Sequence, residues 1–192
     1  MEDRNREMAR RIALAVDQAG GKTYFVGGCV RDQVLGRESR DLDLEVHGLS
    51  LQCLEEILKS IGERPAFDDS FCIFRLEGYA LELSVPRRET AEAFPGEERA
   101  ALRRDFTMNA LMENVLSGEI LDCDGGLRDI SLCRIRQVSD RTFREDPLRV
   151  FLAAQFAARF RFSVEEETLK QASLPDVYAL RGERVMMELE KA

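Results

Sequence analysis

The spacing of apolar positions changes several times along the chain, and each change marks an element. Residues 2–19 carry apolar side chains at helical spacing and stop at Gly20-Gly21, which predicts an amphipathic helix. Lys22 to Val26 reads as a strand entering a Gly27-Gly28 turn, and Val30 to Leu35 begins a short helix. Arg40 to Val46 alternates with a period of two. Alternate side chains of a strand share a face, so Leu42, Leu44 and Val46 point one way and Asp41, Asp43 and Glu45 the other. Ser50 to Ile61 predicts a helix with Ser50 as its N-cap. Phe71 to Leu76 and Tyr79 to Val85 read as strands around a turn at Glu77-Gly78. Residues 86–97, with Pro86, Pro95 and Gly96, read as a loop. A helix is then expected to carry Arg103-Arg104-Asp105 and continue to Met112. Glu119 to Leu121 and Cys133 to Val138 read as short strands flanking an Asp/Gly turn, and the pattern is helical from Pro147 onward. The expected architecture is a mixed α/β head over residues 1–138 and an α-helical portion over 139–192.

Composition narrows this picture. The chain has 192 residues, 44% hydrophobic and 33% charged, which suits a soluble globular head with part of a neighbouring domain. No apolar run approaches membrane-spanning length, and the first residues, Met-Glu-Asp-Arg-Asn-Arg-Glu, lack the apolar core of a secretory signal. The five cysteines (29, 53, 72, 123 and 133) form no Cys-x-x-Cys pair and His47 is the sole histidine, so a reducing cytoplasm is expected and a zinc site is not. The net charge of −8 argues against non-specific nucleic-acid binding. Yet 24 of the 28 basic residues are arginine, several of them clustered, and arginine suits bidentate phosphate and base contacts.

Candidate chemistry begins at Asp41-Leu-Asp43. Two carboxylates two residues apart on a rigid strand can grip a hard divalent cation such as Mg2+. The glycines just upstream let a phosphate approach backbone N–H groups, and Arg31 adds a forked cationic donor. Each feature taken singly also has an ordinary reading, a solvated strand face and a plain turn. Their order and close spacing point to metal-assisted chemistry on a nucleoside triphosphate.

Phe25-Val-Gly-Gly-Cys-Val-Arg-Asp32 with Asp41-Leu-Asp43 resembles the tRNA nucleotidyltransferase/poly(A) polymerase family, within the polymerase-beta-like nucleotidyltransferases. Arg103-Arg-Asp-Phe-Thr-Met-Asn-Ala110, Asp122-Cys-Asp-Gly-Gly-Leu-Arg-Asp129 and Glu145-Asp-Pro-Leu-Arg149 resemble three further hallmarks, in the family's order. The resemblance implies addition of C, with A as a further possibility, to the tRNA 3′ end from CTP and ATP by two-metal transfer. It implies Asp41 and Asp43 as metal ligands and, with strand phase, Glu82 as a third catalytic carboxylate or a polar face residue. Gly27, Gly28 and Arg31 are expected around the triphosphate, with Asp32 orienting Arg31 or capping its helix. Arg104, Asp105 and Asn109 are expected to contact the nucleotide, Asp105 and Asn109 from one helix face. Asp146 before Pro147 reads as an N-cap. Asp146 and Arg149, three apart on a helix, also suit the Watson–Crick edge of a base.

Two departures from the family pattern stand out. Leu152 occupies a position where relatives commonly carry arginine, and the segment from Glu89 to Leu102 has only fourteen residues. A short segment there resembles enzymes that add only CC. Glu183 to Ala192 is amphipathic and helical, and Val185, Met186 and Leu189 form an apolar stripe that needs a partner. The chain thus resembles a head with a partial neck. Poly(A) addition is the nearest enzymatic alternative, and an RNA- or nucleotide-binding fragment with little activity alone is the alternative of another class.

Overall fold

The computed structural model describes residues 2–39, 41–86, 96–173, 180 and 182–189. The chain divides into two compact units, one of Met1–Ala100 with Leu111–Leu121 and one of Ala101–Ala110 with Asp122–Ala192. The expected boundary at residue 138 follows chain order. By packing, residues 101–110 and 122–138 belong with the segment that follows them.

The first unit is built on a mixed seven-stranded sheet. Its strands are β1 (Lys22–Val26), β2 (Leu42–His47), β3 (Pro65–Asp68), β4 (Ile73–Leu76), β5 (Leu81–Ser84), β6 (Met112–Asn114) and β7 (Ile120–Leu121), in the order β3-β4-β5-β2-β1-β6-β7. Only β2 and β5 pair in parallel, and the other neighbours are antiparallel. Helices α1 (Glu2–Gln18) and α3 (Leu51–Ser60) pack together, and α1 lies against β1 and β2. Met8, Ala9, Ile12, Ala13 and Val16 form the buried stripe of α1, and Leu54 and Leu58 that of α3. Leu42, Leu44, Val46, Leu81 and Leu83 fill the matching sheet face. Ser50 caps α3 as expected, accepting the Cys53 N–H at 3.2 Å. The α2 helix spans Gly28–Val34, two residues earlier than periodicity suggests, so the second glycine lies inside it.

Three expectations on strands need adjustment. Asp41 stands just before β2, not within it. β3 was not anticipated, because Pro65-Ala-Phe-Asp68 has one large apolar residue and no alternation to read. β6 begins at Met112, read as the last residue of a helix, and runs on to Asn114. Residues 89–95, half of the proposed CC-specifying segment, lie outside the described residues.

The second unit is mainly helical. It contains a 3-10 turn at Thr107–Asn109, α5 (Gly126–Ser131), α6 (Asp140–Glu145), α7 (Leu148–Phe160), α8 (Glu166–Ala172) and α9 (Gly182–Leu189), numbered after α4 (Glu97–Ala101). A two-stranded parallel ribbon joins β8 (Arg134–Ile135) to β9 (Ser163–Val164). Phe106, Phe143, Phe156, Phe160 and Phe162 form a run of ring contacts through its core. Among the described residues, no helix is long and apolar enough to cross a membrane.

The expected helix over residues 103–112 is the main correction. α4 ends at Ala101, and Arg104 N–H closes a turn onto the Ala101 carbonyl. Asp105 Oδ1 then accepts the Phe106 N–H at 2.6 Å, competing with helical pairing. Phe106 is extended, fully buried and bridged to Gln137, while Thr107 N–H bonds to the Arg136 carbonyl and Val138 N–H to that of Asp105. Strand-like pairing with residues 136–138 thus overrides local helix preference.

Candidate active site

Sheet register places the first set of functional side chains. Val26 lies opposite Asp43 across β1 and β2, and Asp43 lies beside Glu82 across β2 and β5. Neighbours in register share a face, so Asp43 and Glu82 stand side by side. Glu82 is bonded to Arg75 at 2.9 Å, and Arg75 reaches Asp68 at 2.8 Å. Arg75 thus engages one carboxylate oxygen of Glu82, Oε1. Asp41 is exposed and Asp43 half-buried.

The glycine turn follows directly after Val26. Gly27 has φ 72° and ψ −132°, a conformation that needs glycine. At Gly28 a Cβ would meet Arg31 Nη2 at 3.3 Å, so the second glycine makes room for the guanidinium. Arg31 is 4% exposed, and its Nε and Nη2 each lie 2.9 Å from Asp32 Oδ1, so Asp32 orients Arg31, as one of its two expected roles has it. Cys29 lies close enough to Asp43 for the two to interact. Burial pushes its thiol up from the ordinary value.

Further along the same face, Tyr24 donates to Glu97 at 3.0 Å and packs edge-on against His47, whose Nε2 lies 2.8 Å from Glu45 Oε1. Burial, the hydrogen bond to Glu97 and the Glu97 charge push the Tyr24 hydroxyl up to about 12. Among the described residues, no group of three or more His, Cys, Asp and Glu side chains is arranged to hold a metal ion. The Asp41 and Asp43 pair is still a fitting oxygen-only donor set, because Mg2+ is commonly held by one or two carboxylates together with substrate phosphates.

In the second unit, Asp105 and Asn109 come together without a helix. Asn109 Nδ2 donates to Asp105 Oδ1 at 3.0 Å, across the 3-10 turn. Arg149 Nη1 and Nη2 donate to the carbonyls of Arg104 and Arg103 at 3.4 and 3.1 Å. This fixes the plane of a guanidinium that has five N–H donors. Arg149, Asp105 and Asn109 therefore belong to one local arrangement. Asp146 stands one residue before the N-cap of α7, which is Pro147; its Oδ1 accepts the N–H of Leu148, the first helical residue, at 3.1 Å, and its other oxygen pairs with Arg184 at 2.9 Å. Asp146 and Arg149 thus have different partners. Sequence reasoning missed Arg184, whose place on an amphipathic helix carries no signal of its partner. It singled out the Asp122–Asp129 motif without assigning it work. Asp122 accepts the Gly126 and Leu127 N–H groups at 2.7 and 3.0 Å, starting α5.

A mixed sheet with paired carboxylates beside a glycine turn is the frame of a polymerase-beta-like nucleotidyltransferase head. The Poly A polymerase head domain matches this chain over residues 23–136, and the chain belongs to the tRNA nucleotidyltransferase/poly(A) polymerase family. It is 37% identical over 188 aligned positions to a multifunctional CCA protein of Neisseria meningitidis, covering 88% of this chain and 43% of that protein. A multifunctional CCA protein of Haemophilus ducreyi is 33% identical, with 88% and 44% covered. Among solved structures, a CCA-adding enzyme in complex with CTP superposes with a TM-score of 0.82 at 29% identity, covering 96% of this chain and 47% of that one. The Thermotoga maritima CCA-adding enzyme complexed with tRNA gives 0.82 at 29% identity, with 96% and 46% covered. The chain spans less than half the length of the curated relatives named here.

Proposed function

We propose that this chain is the catalytic head of a tRNA nucleotidyltransferase that adds C, and A, to the tRNA 3′ end from CTP and ATP. The observation that carries the reading is the Asp43–Glu82 pair on one sheet face, next to the glycine turn before Cys29. Relatives described as CCA proteins, and solved CCA-adding enzymes with CTP, ATP and tRNA, support it.

In the proposed reaction the RNA 3′ oxygen forms a bond to the α-phosphorus. The bond from that phosphorus to the bridging oxygen breaks, and pyrophosphate leaves. Asp41 and Asp43 would hold Mg2+, which when bound supplies charge neutralisation and a more acidic hydroxyl. The Gly27-Gly28 turn and Arg31, pre-oriented by Asp32, receive the triphosphate. Asp105, Asn109 and Arg104 contact the nucleotide. Asp146 and Arg149 supply an acceptor and a forked donor for the base edge, which suits C and A over G and U. Asp146 does this while accepting the Leu148 N–H at the start of α7, so its two readings are compatible.

The test is incubation of the whole natural protein with tRNA lacking its 3′ end and each labelled nucleotide in turn. Sequential incorporation of C and then A is the expected outcome. Incorporation of C alone identifies a CC-adding enzyme, and long A runs a poly(A) polymerase. No incorporation, with nucleotide binding retained, would leave only the binding-module reading.

A further inference from the structure

The Asp122–Asp129 motif ends on a carboxylate that the proposed chemistry does not use. Asp129 is 1% exposed. Its Oδ2 accepts from Thr107 Oγ1 at 2.7 Å and Arg136 Nε at 2.8 Å, and its Oδ1 from Arg134 Nε at 2.9 Å and Nη2 at 2.6 Å. Arg136 also donates through Nη2 to the Asp124 carbonyl. Burial alone would raise the Asp129 pKa, but the bonds from Thr107, Arg134 and Arg136 outweigh it and hold the carboxyl below its ordinary value. The group is therefore a fully satisfied buried anion with three separate donors.

One of those donors is the first residue of the 3-10 turn. Thr107 is 0% exposed, and its backbone N–H is also bonded to the Arg136 carbonyl at 2.9 Å. Two points of Thr107 are thus pinned to the segment running from Asp129 to Arg136. The rest of the turn hangs from it: Asn109 N–H bonds to the Phe106 carbonyl and Ala110 N–H to the Thr107 carbonyl. Asn109 in turn holds Asp105. A three-residue turn has too few internal hydrogen bonds to define its own orientation.

We propose that Asp129 is a positioning residue for nucleotide binding: through Thr107 it sets the turn that presents Asp105 and Asn109. The proposal rests on the reading of those two side chains as nucleotide contacts. Aspartate suits the position because its two oxygens serve donors on both sides. Asparagine would aim an NH2 at a guanidinium, and glutamate would add a methylene to a packed site.

Asp129 variants risk unfolding, so the decisive change is Thr107→Val, which keeps shape and the arginine pairs and removes only the hydroxyl. In the whole natural protein, T107V is expected to raise the KM for CTP by about tenfold with a smaller change in kcat. Thr107→Ser restores the hydroxyl and returns KM to near the wild-type value. Asn109→Ala is the comparison and raises the same KM directly. A flat T107V beside a responsive N109A, even with a lowered melting temperature, would overturn the positioning role alone. A flat N109A would overturn the nucleotide-contact reading and the proposal with it.

Discussion

Asp43 in the sheet unit and Asp129 in the helical unit are both motif aspartates, and their surroundings are opposite. Asp43 is half-buried on a strand paired on both sides, in register with Glu82 and near the buried Cys29 thiol. Its backbone is held by the ladders, and it stands in register with Glu82, whose Oε1 is taken by Arg75. Asp129 is enclosed by Thr107, Arg134 and Arg136, and its carboxylate ties those three side chains together. A carboxylate kept beside another carboxylate points to a task beyond the fold. One surrounded by donors points to a task within it.

The contrast is sharpest in single substitutions. Asp43→Ala is expected to remove nucleotide addition, a loss of several kcal/mol of transition-state stabilisation, with a smaller change in melting temperature than Asp129→Ala. Wild-type rates at saturating Mg2+, or a large drop in melting temperature, would break the comparison. Asp129→Ala should do the reverse. Removing it strands two partly buried guanidiniums and should cost about 3 kcal/mol of stability, read from denaturant midpoints. An unchanged midpoint would show that water replaces the carboxylate at little cost.

Asp146 and Arg149 lie between these extremes. Arg149→Ala should weaken discrimination of CTP against UTP by about 2 kcal/mol and leave the Asp146 bond to the Leu148 N–H intact. Asp146→Ala should add to a similar loss of selectivity about 1 kcal/mol of stability, since the bond to the Leu148 N–H and the Arg184 pair both go. Incorporation ratios and melts measured side by side check both. If Asp146→Ala shifts stability alone, Asp146 belongs with Asp129, not with Asp43.

The smallest effect concerns Tyr24. In the unfolded chain the phenol titrates near its ordinary 10.0, while in the fold it is pushed up to about 12. Between those values the folded form keeps a proton that the unfolded form has lost, so stability falls as pH rises through this window and is fully present below it. The expected alkaline loss is about 1–2 kcal/mol. Tyr24→Phe should flatten it, as followed by denaturant midpoints across that pH range. An equally steep decline in the variant would assign the loss to other groups.

Much of the sheet unit was legible along the chain. The alternation in Leu42 to Val46 separates an apolar face from a carboxylate face, and β2 follows it because its backbone needs only neighbours of the same period. The α1 stripe and the Ser50 cap were readable for the same reason, since each depends on residues within a few positions. The second unit was harder. Asp105 and Asn109 were expected together, and are, but on a 3-10 turn and not on a helix face. The partners that hold the intervening Phe106 and Thr107, namely Arg136, Gln137 and Asp129, lie over twenty residues along the chain, beyond the reach of periodicity.

By itself, the sequence determined the α/β class, the strand bearing Asp43, the glycine turn and the four ordered motifs. These depend on side-chain period and on the φ range that only glycine enters freely. Tertiary structure decided which carboxylates are neighbours, because register across β2 and β5 joins Asp43 to Glu82 over a span holding a helix and two strands. It decided that Glu82 binds Arg75, that Asp146 meets Arg184, and that a helix-forming segment ends in an extended Phe106. In each case a buried or paired polar group had to find its partner, and the partner lay elsewhere in the chain.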